Sequence, residues 1–512
     1  MRKEKKKRSR PGLRYGLALV VMLLSTVIVS AVAWFDNTFN LTFEGLMFTL
    51  QSPTKGADVG FLLGLLPLLL PNLLVCAAAA AVLLLTRFVL LRRQEVLLRI
   101  RLRKGKSWRV PVSALLCWCM VLLFAVPAAI SLSGEIRRMD IDGYYRSLND
   151  QTTIYEEYYV APTQERISAP AEKKNLLLIY LESMETTYAS VEDGGHQAEN
   201  YMPELTELAR ENLSFSDSEL LGGAHCTAGT GWTIASLFAT TSGLPLRFPG
   251  VNNTMDLHAE FASGVTALGD ILAGQGYQQE FLCGSQGNFA GRADYYSQHG
   301  GAVVYDYDRA VANGDIPADH YVWWGYEDYY LYEIAQKELT RLAAEDEPFC
   351  LSMLTVDTHH VGGYVCPLCG DEYENSTANV VRCADRQVCA FLDWCRQQDF
   401  YENTVIVVMG DHPRMDSELV GELRVYDRTI YNAFLNVDEA LVQNARTTNR
   451  SYAPMDLFPT ILAALGNEID GERLGMGTNL FSGRDTLCEE LGYEIYNNEL
   501  AKYSQYFVDQ FS

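Results

Sequence analysis

Three apolar runs in the N-terminal part of the chain, Tyr15–Phe35, Gly60–Leu85 and Val110–Leu132, are each long enough to cross a bilayer, which takes about 20 residues. A chain carrying them cannot bury everything apolar in one water-soluble core. The second run contains Pro67 and Pro71, which membrane helices tolerate better than soluble ones. The first exceeds a signal-peptide core in length and no small-x-small cleavage site follows it, so it reads as a retained anchor. Orientation follows from the Lys/Arg flanks. MRKEKKKRSR precedes the first run, and nine Lys/Arg lie between Arg87 and Arg109, whereas the segment between the first two runs has only Lys55. Both basic segments are expected in the cytoplasm, which places the chain after Leu132 outside it, in a multi-pass protein of the cell membrane.

Charge divides the chain at the same place. Up to Leu132 there are 18 Lys+Arg against 5 Asp+Glu; the totals of 41 and 64 leave 23 against 59 beyond it, a formal charge of −36. Such a surface repels nucleic acid, so no DNA or RNA partner is expected. An anionic substrate would need a local cation to receive it. Three divisions are expected: a membrane anchor with three transmembrane helices (1–132), an amphipathic, partly helical connector (133–174), and an extracytoplasmic catalytic domain (175–512). Of the 12 cysteines, Cys366, Cys369, Cys383, Cys389 and Cys395 cluster in sequence. Outside the cytoplasm this pattern is expected to form disulfides, with a zinc knuckle at Cys366-Pro-Leu-Cys369 as the alternative. Cys226 reads as an ordinary buried thiol.

From Asn175 onward, strands alternate with helices. NLLLIYLES is a continuous apolar run with Glu182 at its end. QQEFLC, GAVVYDY, PFCLSMLTVDTHH, NTVIVVMGDH and YNAFLNV read as further strands. MPELTELAREN, GVTALGDILAGQGY, EDYYLYEIAQKELTRLAAE, VCAFLDWCRQQ and MDLFPTILAALG read as helices. The expected fold is α/β, a mainly parallel sheet with helices on both faces. Ligands bind such sheets beyond the carboxyl ends of the strands. That edge would collect Glu182, His359, His360, Asp411 and His412. Two carboxylates and an imidazole suit Mn²⁺, Mg²⁺ or Zn²⁺. Singly, each residue could equally be a surface or capping group.

Between these strands lies GGAHCTAGTGWTIASLFATTSGLPL, Gly222–Leu246, a loop of glycines and hydroxyl residues running into a helix that Gly243-Leu244-Pro245 ends. Thr233 falls at the helix start, where free N–H groups and the positive end of the helix dipole suit a phosphate or a nucleophile. Threonine is also a common N-cap, so the stretch alone does not decide between chemistry and structure. A metal contacting Thr233 Oγ would depress the pKa of a hydroxyl that is otherwise a poor nucleophile.

NLLLIYLESME, GTGWTIASLFATTSGLPL, FLCGSQGNFAGRADYYSQHG, LTVDTHH and VIVVMGDH, in this order, resemble the phosphoglycerol transferase and lipoteichoic acid synthase group of the alkaline-phosphatase/sulfatase superfamily, over about Tyr155 to Ser482. Within it, GTGWTIA, NFAGR and TVDTHH look most similar to the membrane phosphoglycerol transferases of osmoregulated periplasmic glucans. The resemblance implies an alkaline-phosphatase/sulfatase-like fold and one divalent metal, Mn²⁺ first, with Mg²⁺ or Zn²⁺ as alternatives. It implies transfer of glycerol phosphate from phosphatidylglycerol to a glycan, glycolipid or polymer hydroxyl. It puts the nucleophile on Thr233 rather than Thr227 or Thr230, and metal ligands on Glu182, Thr233, Asp411 and His412. His359 falls near the reacting phosphate, Arg292 is the phosphate-binding arginine, and His360, beside His359, and Cys283 are further substrate-binding positions. Two positions depart from the lipoteichoic acid synthases: Cys283 replaces a substrate-contacting histidine, and Ala290 a tryptophan, so a different acceptor or pocket shape is expected. The Cys-x-Pro-x-Arg motif of sulfatases is missing at Cys226-Thr-Ala-Gly, which argues against sulfate ester hydrolysis. The rival readings are a phosphoethanolamine transferase on the same fold and an inactive envelope scaffold.

Overall fold

The computed structural model describes residues 11–40, 42–44, 46–47, 63–92, 97–101, 107–147, 149–247, 260–443 and 445–511. These fall into two compact units, one within Met1–Phe39 and Asp58–Asp142, the other within Asn40–Ala57 and Gly143–Ser512.

The first unit is built on three helices, α1 (Pro11–Thr38), α2 (Leu66–Arg92) and α3 (Val112–Arg138). All three are long and apolar enough to cross a membrane. Their contact surface is small: Tyr15, Ala18, Met22, Cys76, Leu83 and Cys117 are buried. Leu13, Leu17, Leu74, Trp118 and Leu123 point outward, each more than 60% exposed, a surface that needs lipid rather than water around it. Asn72 Nδ2 donates to Ser30 Oγ at 3.0 Å, joining α2 to α1 through a polar pair. Two short strands, Leu97–Arg101 and Ser107–Pro111, pair antiparallel before α3. The basic stretch of residues 1–10, the start of the second expected span at 60–62, and basic residues within 93–96 and 102–106 lie outside the described residues.

The second unit is organised by one sheet: β1 (Asn175–Leu181), β2 (Gln278–Cys283), β3 (Val303–Tyr305), β4 (Phe349–Leu354), β5 (Thr404–Gly410) and β6 (Asn432–Leu435), in the order β6-β5-β1-β4-β2-β3. Only β6 runs antiparallel to its neighbour. The central strands β1, β4 and β5 are buried along their whole length, which is why NLLLIYL, FCLSML and TVIVVMG lack the polar alternation of a half-exposed strand. The register ends them level: Leu181 pairs with Gly410, Tyr180 with Leu354, and Leu354 with Cys283. Gly410 is obligatory at that edge, because a Cβ there would lie 1.8 Å from Met184 O.

The mainly parallel sheet and its helices agree with the fold expected from sequence. The helices include α4 (Thr233–Ser242), α5 (Arg292–Gln298), α6 (Asp328–Leu342), α7 (Ser376–Cys395) and α8 (Pro454–Ala464). Helix α4 begins at Thr233, and Gly243 ends it in the left-handed region at φ 69°. Two local readings change. The fourth strand stops at Leu354, so His359 and His360 sit on the loop beyond it rather than on the strand. Helix α7 starts at Ser376, well before the expected VCAFLDWCRQQ, because the Asn375 side chain accepts from the N–H groups of Thr377 (2.8 Å) and Ala378 (3.3 Å) and caps it. In the segment 133–174, Ile154 and Tyr155 are buried, the Tyr155 hydroxyl donates to Leu500 O at 3.1 Å, and Ile167–Ser168 pairs with Glu468–Ile469.

Candidate active site

The ends of β1 and β5 and the start of α4 bring four chemical groups to a common point. Glu182 follows β1, and its backbone N–H donates to Thr355 Oγ1 at 2.9 Å while Ser183 Oγ donates to its Oε1 at 2.8 Å. Asp411 and His412 follow β5. Asp411 Oδ1 accepts from the N–H groups of Ser183 and His412, both at 2.7 Å. His412 Nδ1 donates to Pro413 O at 2.9 Å, which fixes the tautomer and turns Nε2 inward. Nε2 lies 3.4 Å from Glu182 Oε1 and 3.4 Å from Asp411 Oδ2. From the loop side, Thr233 Oγ1 reaches Glu182 Oε2 at 3.4 Å and His412 Nε2 at 3.3 Å. Glu182, Asp411 and His412 are at most 2% exposed, whereas Thr233 is only partly buried and remains reachable.

Thr227 and Thr230 are occupied by their own turn: Thr230 Oγ1 donates to Thr227 O at 2.9 Å and accepts from Thr227 N–H at 2.8 Å. Both are about 1% exposed. Of the three hydroxyls, only Thr233 faces the carboxylates. Cys226 is buried, and burial raises its thiol to about 12.

The residues fit a divalent cation. The ligand atoms of Glu182, Asp411 and His412 lie within 4.8 Å of one another. Among the described residues Asp411 Oδ2 is buried with no hydrogen-bond partner, which is costly for a carboxylate unless a cation or proton meets it. The proton affinities agree. Burial lowers the His412 pKa, but the Asp411 and Glu182 carboxylates outweigh it and raise it to about 9. Burial and the neighbouring Glu182 charge raise Asp411 to about 7. Burial alone would raise Glu182, yet His359 and His412 hold it well below the usual carboxylate range. Glu182→Ala and Asp411→Ala are each expected to abolish cation binding at this point, since either leaves two protein ligands besides the weak hydroxyl. Elemental analysis of purified variants checks this, and unchanged metal content would remove the substituted residue from the site.

His359 and His360 stack at 4.3 Å between ring centroids, and His359 Nδ1 donates to His360 O at 2.6 Å. Burial lowers the His359 pKa, with the His412 and Arg292 cations adding to it against the Glu182 carboxylate. Arg292, at the start of α5, is 6% exposed. Among the described residues it is held only by neutral acceptors: Phe289 O (3.1 Å), Ser285 Oγ (3.0 Å) and Gln286 O (3.0 Å). A buried guanidinium without a carboxylate partner suits an incoming anion. Cys283, at the end of β2, is fully buried and directs its thiol to Ser285 O at 3.4 Å, so its contribution is to the floor of this loop.

Sequence reasoning overlooked two features. Trp324 lies 4.6 Å from His359 and 5.5 Å from Phe289 between ring centroids, and Phe289 in turn lies under the Arg292 guanidinium at 5.3 Å. In this aromatic wall, Trp324 comes from the loop before α6, where YVWWGY gives no periodic signal. Beneath the ligands lies a buried ion-pair network. Arg414 donates to both carboxylate oxygens of Asp416 (2.5 and 2.8 Å) and to Thr358 O (3.1 Å). Arg428 donates to both oxygens of Glu185 (2.7 and 2.9 Å) and to Arg414 O (3.0 Å). It ties the loops after β1, β4 and β5 together. The available signal was the two charges closely following the ligands in DHPRMD.

The sulfatase family model matches residues 174–467. Phosphoglycerol transferase I of Xanthomonas euvesicatoria pv. vesicatoria (strain 85-10) is 32% identical over 341 residues, covering 65% of this chain and 45% of that protein. Phosphoglycerol transferase I of Escherichia coli (strain 55989 / EAEC) is 30% identical over 339 residues, covering 64% and 41%. The chain thus spans less than half the length of these relatives. Among solved structures, the lipoteichoic acid synthase LtaP from Listeria monocytogenes aligns with a TM-score of 0.46 at 15% identity, over 60% of this chain and 76% of that one.

Proposed function

Because this chain belongs to the sulfatase family, and its relatives at about 30% identity are phosphoglycerol transferases, we propose that it is a membrane-anchored phosphoglycerol transferase. It takes glycerol phosphate from phosphatidylglycerol and gives it to a hydroxyl of a glycan, glycolipid or polymer. The observation that carries this reading is the placement of one reachable hydroxyl, Thr233 Oγ1, 3.4 Å from Glu182 and 3.3 Å from His412. A threonine in that position, with no Cys-x-Pro-x-Arg motif at Cys226, supports phosphoryl transfer over sulfate ester hydrolysis.

Glu182, Thr233, Asp411 and His412 would hold a divalent cation, Mn²⁺ in our reading, with Mg²⁺ and Zn²⁺ as alternatives. When bound, it lowers the proton affinity of the Thr233 hydroxyl and offsets charge on the phosphoryl oxygens. Thr233 Oγ attacks the phosphorus, and the new O–P bond forms as the P–O bond to diacylglycerol breaks. Arg292 holds a non-bridging oxygen, where charge must be met in the transition state. Neutral His359 relays the proton that leaves Thr233 to the departing diacylglycerol oxygen. His360, packed on His359, holds it in place, and the loop closed by Cys283 and Ser285 sets Arg292. An acceptor hydroxyl then displaces the threonine, its proton returning to Thr233. The 1–132 segment is the anchor that keeps the 175–512 domain at the outer face of the bilayer, with 133–174 connecting them.

Incubating the purified full-length protein in detergent with phosphatidylglycerol and, separately, phosphatidylethanolamine tests the donor. Mass spectrometry is expected to find glycerol phosphate on Thr233 with the first lipid and nothing with the second. Label from phosphatidylethanolamine alone would favour an ethanolamine transferase, and label from neither would favour a scaffold.

A further inference from the structure

Outside the catalytic cluster, three sulfurs converge where the loop after β4 meets α7. Cys366 Sγ lies 3.6 Å from Cys369 Sγ and 3.7 Å from Cys383 Sγ, and all three lie within 4.8 Å of one another. The disulfides expected from the sequence do not form: all 12 cysteines are free thiols. Three mutually adjacent sulfurs are the wrong number for pairing, since any one bond strands the third. They are the right number for a metal. A tetrahedral Zn²⁺ with Zn–S distances of about 2.3 Å holds its sulfurs about 3.8 Å apart.

The local backbone and α7 shape the cluster. Cys366-Pro-Leu-Cys369 folds into a tight turn, with Cys369 N–H donating to Cys366 O at 3.0 Å, and the Leu368 backbone N–H bonds to the Cys366 sulfur. The Arg386 guanidinium lies close enough to Cys383 to offset part of its charge. Gln387, one turn along α7, completes the group: its amide nitrogen is 3.2 Å from Cys383 Sγ and 3.8 Å from Cys366 Sγ, while its Oε1 is buried without a hydrogen-bond partner. A half-turn of that amide exchanges nitrogen for oxygen and presents a neutral ligand to the position that three sulfurs leave open.

We propose that Cys366, Cys369 and Cys383 bind a structural Zn²⁺, with the Gln387 carbonyl or a water as fourth ligand. Binding releases the thiol protons and makes three Zn–S bonds, with no change of oxidation state. The consequence concerns the loop that begins with His359 and His360. Its outer half holds Cys366 and Cys369, so the ion would staple this half to α7 through Cys383.

The test uses the full-length protein purified in detergent without chelator. Treatment with p-hydroxymercuribenzoate, with Zn²⁺ release followed by a colorimetric indicator, is expected to free one equivalent per chain. The same equivalent is expected from Glu182→Ala/Asp411→Ala, which separates it from any metal at the catalytic cluster, and none from Cys366→Ser/Cys369→Ser. Exchange of the unmodified protein with Co²⁺ alone is expected to give sulfur-to-cobalt charge-transfer absorption in the near ultraviolet. That measurement decides the matter even if the cysteine variant does not fold. Peptide mapping that finds a disulfide between any two of the three overturns the proposal, as does the absence of both mercurial-released Zn²⁺ and charge-transfer absorption.

Discussion

Thr233→Ala is expected to lower transfer by about 10⁴-fold or more, the scale on which losing a covalent nucleophile is felt. Release of diacylglycerol from phosphatidylglycerol measures it, and the glycerol phosphate adduct on the tryptic peptide should vanish in the same variant. The loss is chemical rather than structural. Thr233 is only partly buried, and its hydroxyl contacts at 3.3 and 3.4 Å are long, so thermal unfolding should move little. Thr233→Ser keeps a hydroxyl at the same helix start and is expected to retain measurable turnover. Full activity in Thr233→Ala would mean that the acceptor attacks the lipid directly, or that another group carries the phosphate.

The second large effect is on stability. Arg428→Met should destabilise the catalytic unit by about 3–5 kcal/mol, because it leaves the Glu185 carboxylate buried without its cation. Glu185 and Arg428 side chains are both 0% exposed. Burial raises the cost of the orphan charge above anything a surface pair would show. The carbonyl of Arg414 would also lose its donor. The unfolding midpoint of purified protein in detergent measures it. Glu185→Leu/Arg428→Met removes both charges and is expected to recover much of the loss. A single variant as stable as the parent would show that water or a neighbouring base solvates Glu185.

The sheet was legible because its central strands carry almost nothing but apolar residues, and a strand buried on both faces has no other way to be written. The candidate ligands were legible for a related reason: in NLLLIYLES and NTVIVVMGDH the first charged residues after the apolar run lie at the carboxyl edge. Arg414, Arg428 and Glu185 gave no such signal. Charged residues usually mark solvent, and only their three-dimensional pairing makes them interior groups. The cysteines failed differently. Counting them in a segment expected outside the cytoplasm suggested pairs, whereas the chain folds three into one cluster and leaves Cys389 and Cys395 elsewhere on α7. The early start of α7 was missed because its first turns are polar and its cap is a lone asparagine.

The strand order β6-β5-β1-β4-β2-β3 separates what must stay constant from what can vary. The candidate ligands Glu182, Asp411 and His412 and the two histidines follow three neighbouring strands, β5, β1 and β4, whose ends are locked together by Asp411 Oδ1 and the Arg414–Asp416 pair, while Thr233 comes from the start of α4. Arg292 and Phe289 come from one step outward, beyond β2, and Trp324 from beyond β3. Lengthening or exchanging the loop after β3, which carries Trp324, would therefore reshape the aromatic wall while leaving Arg292 and the residues proposed to hold the cation in place.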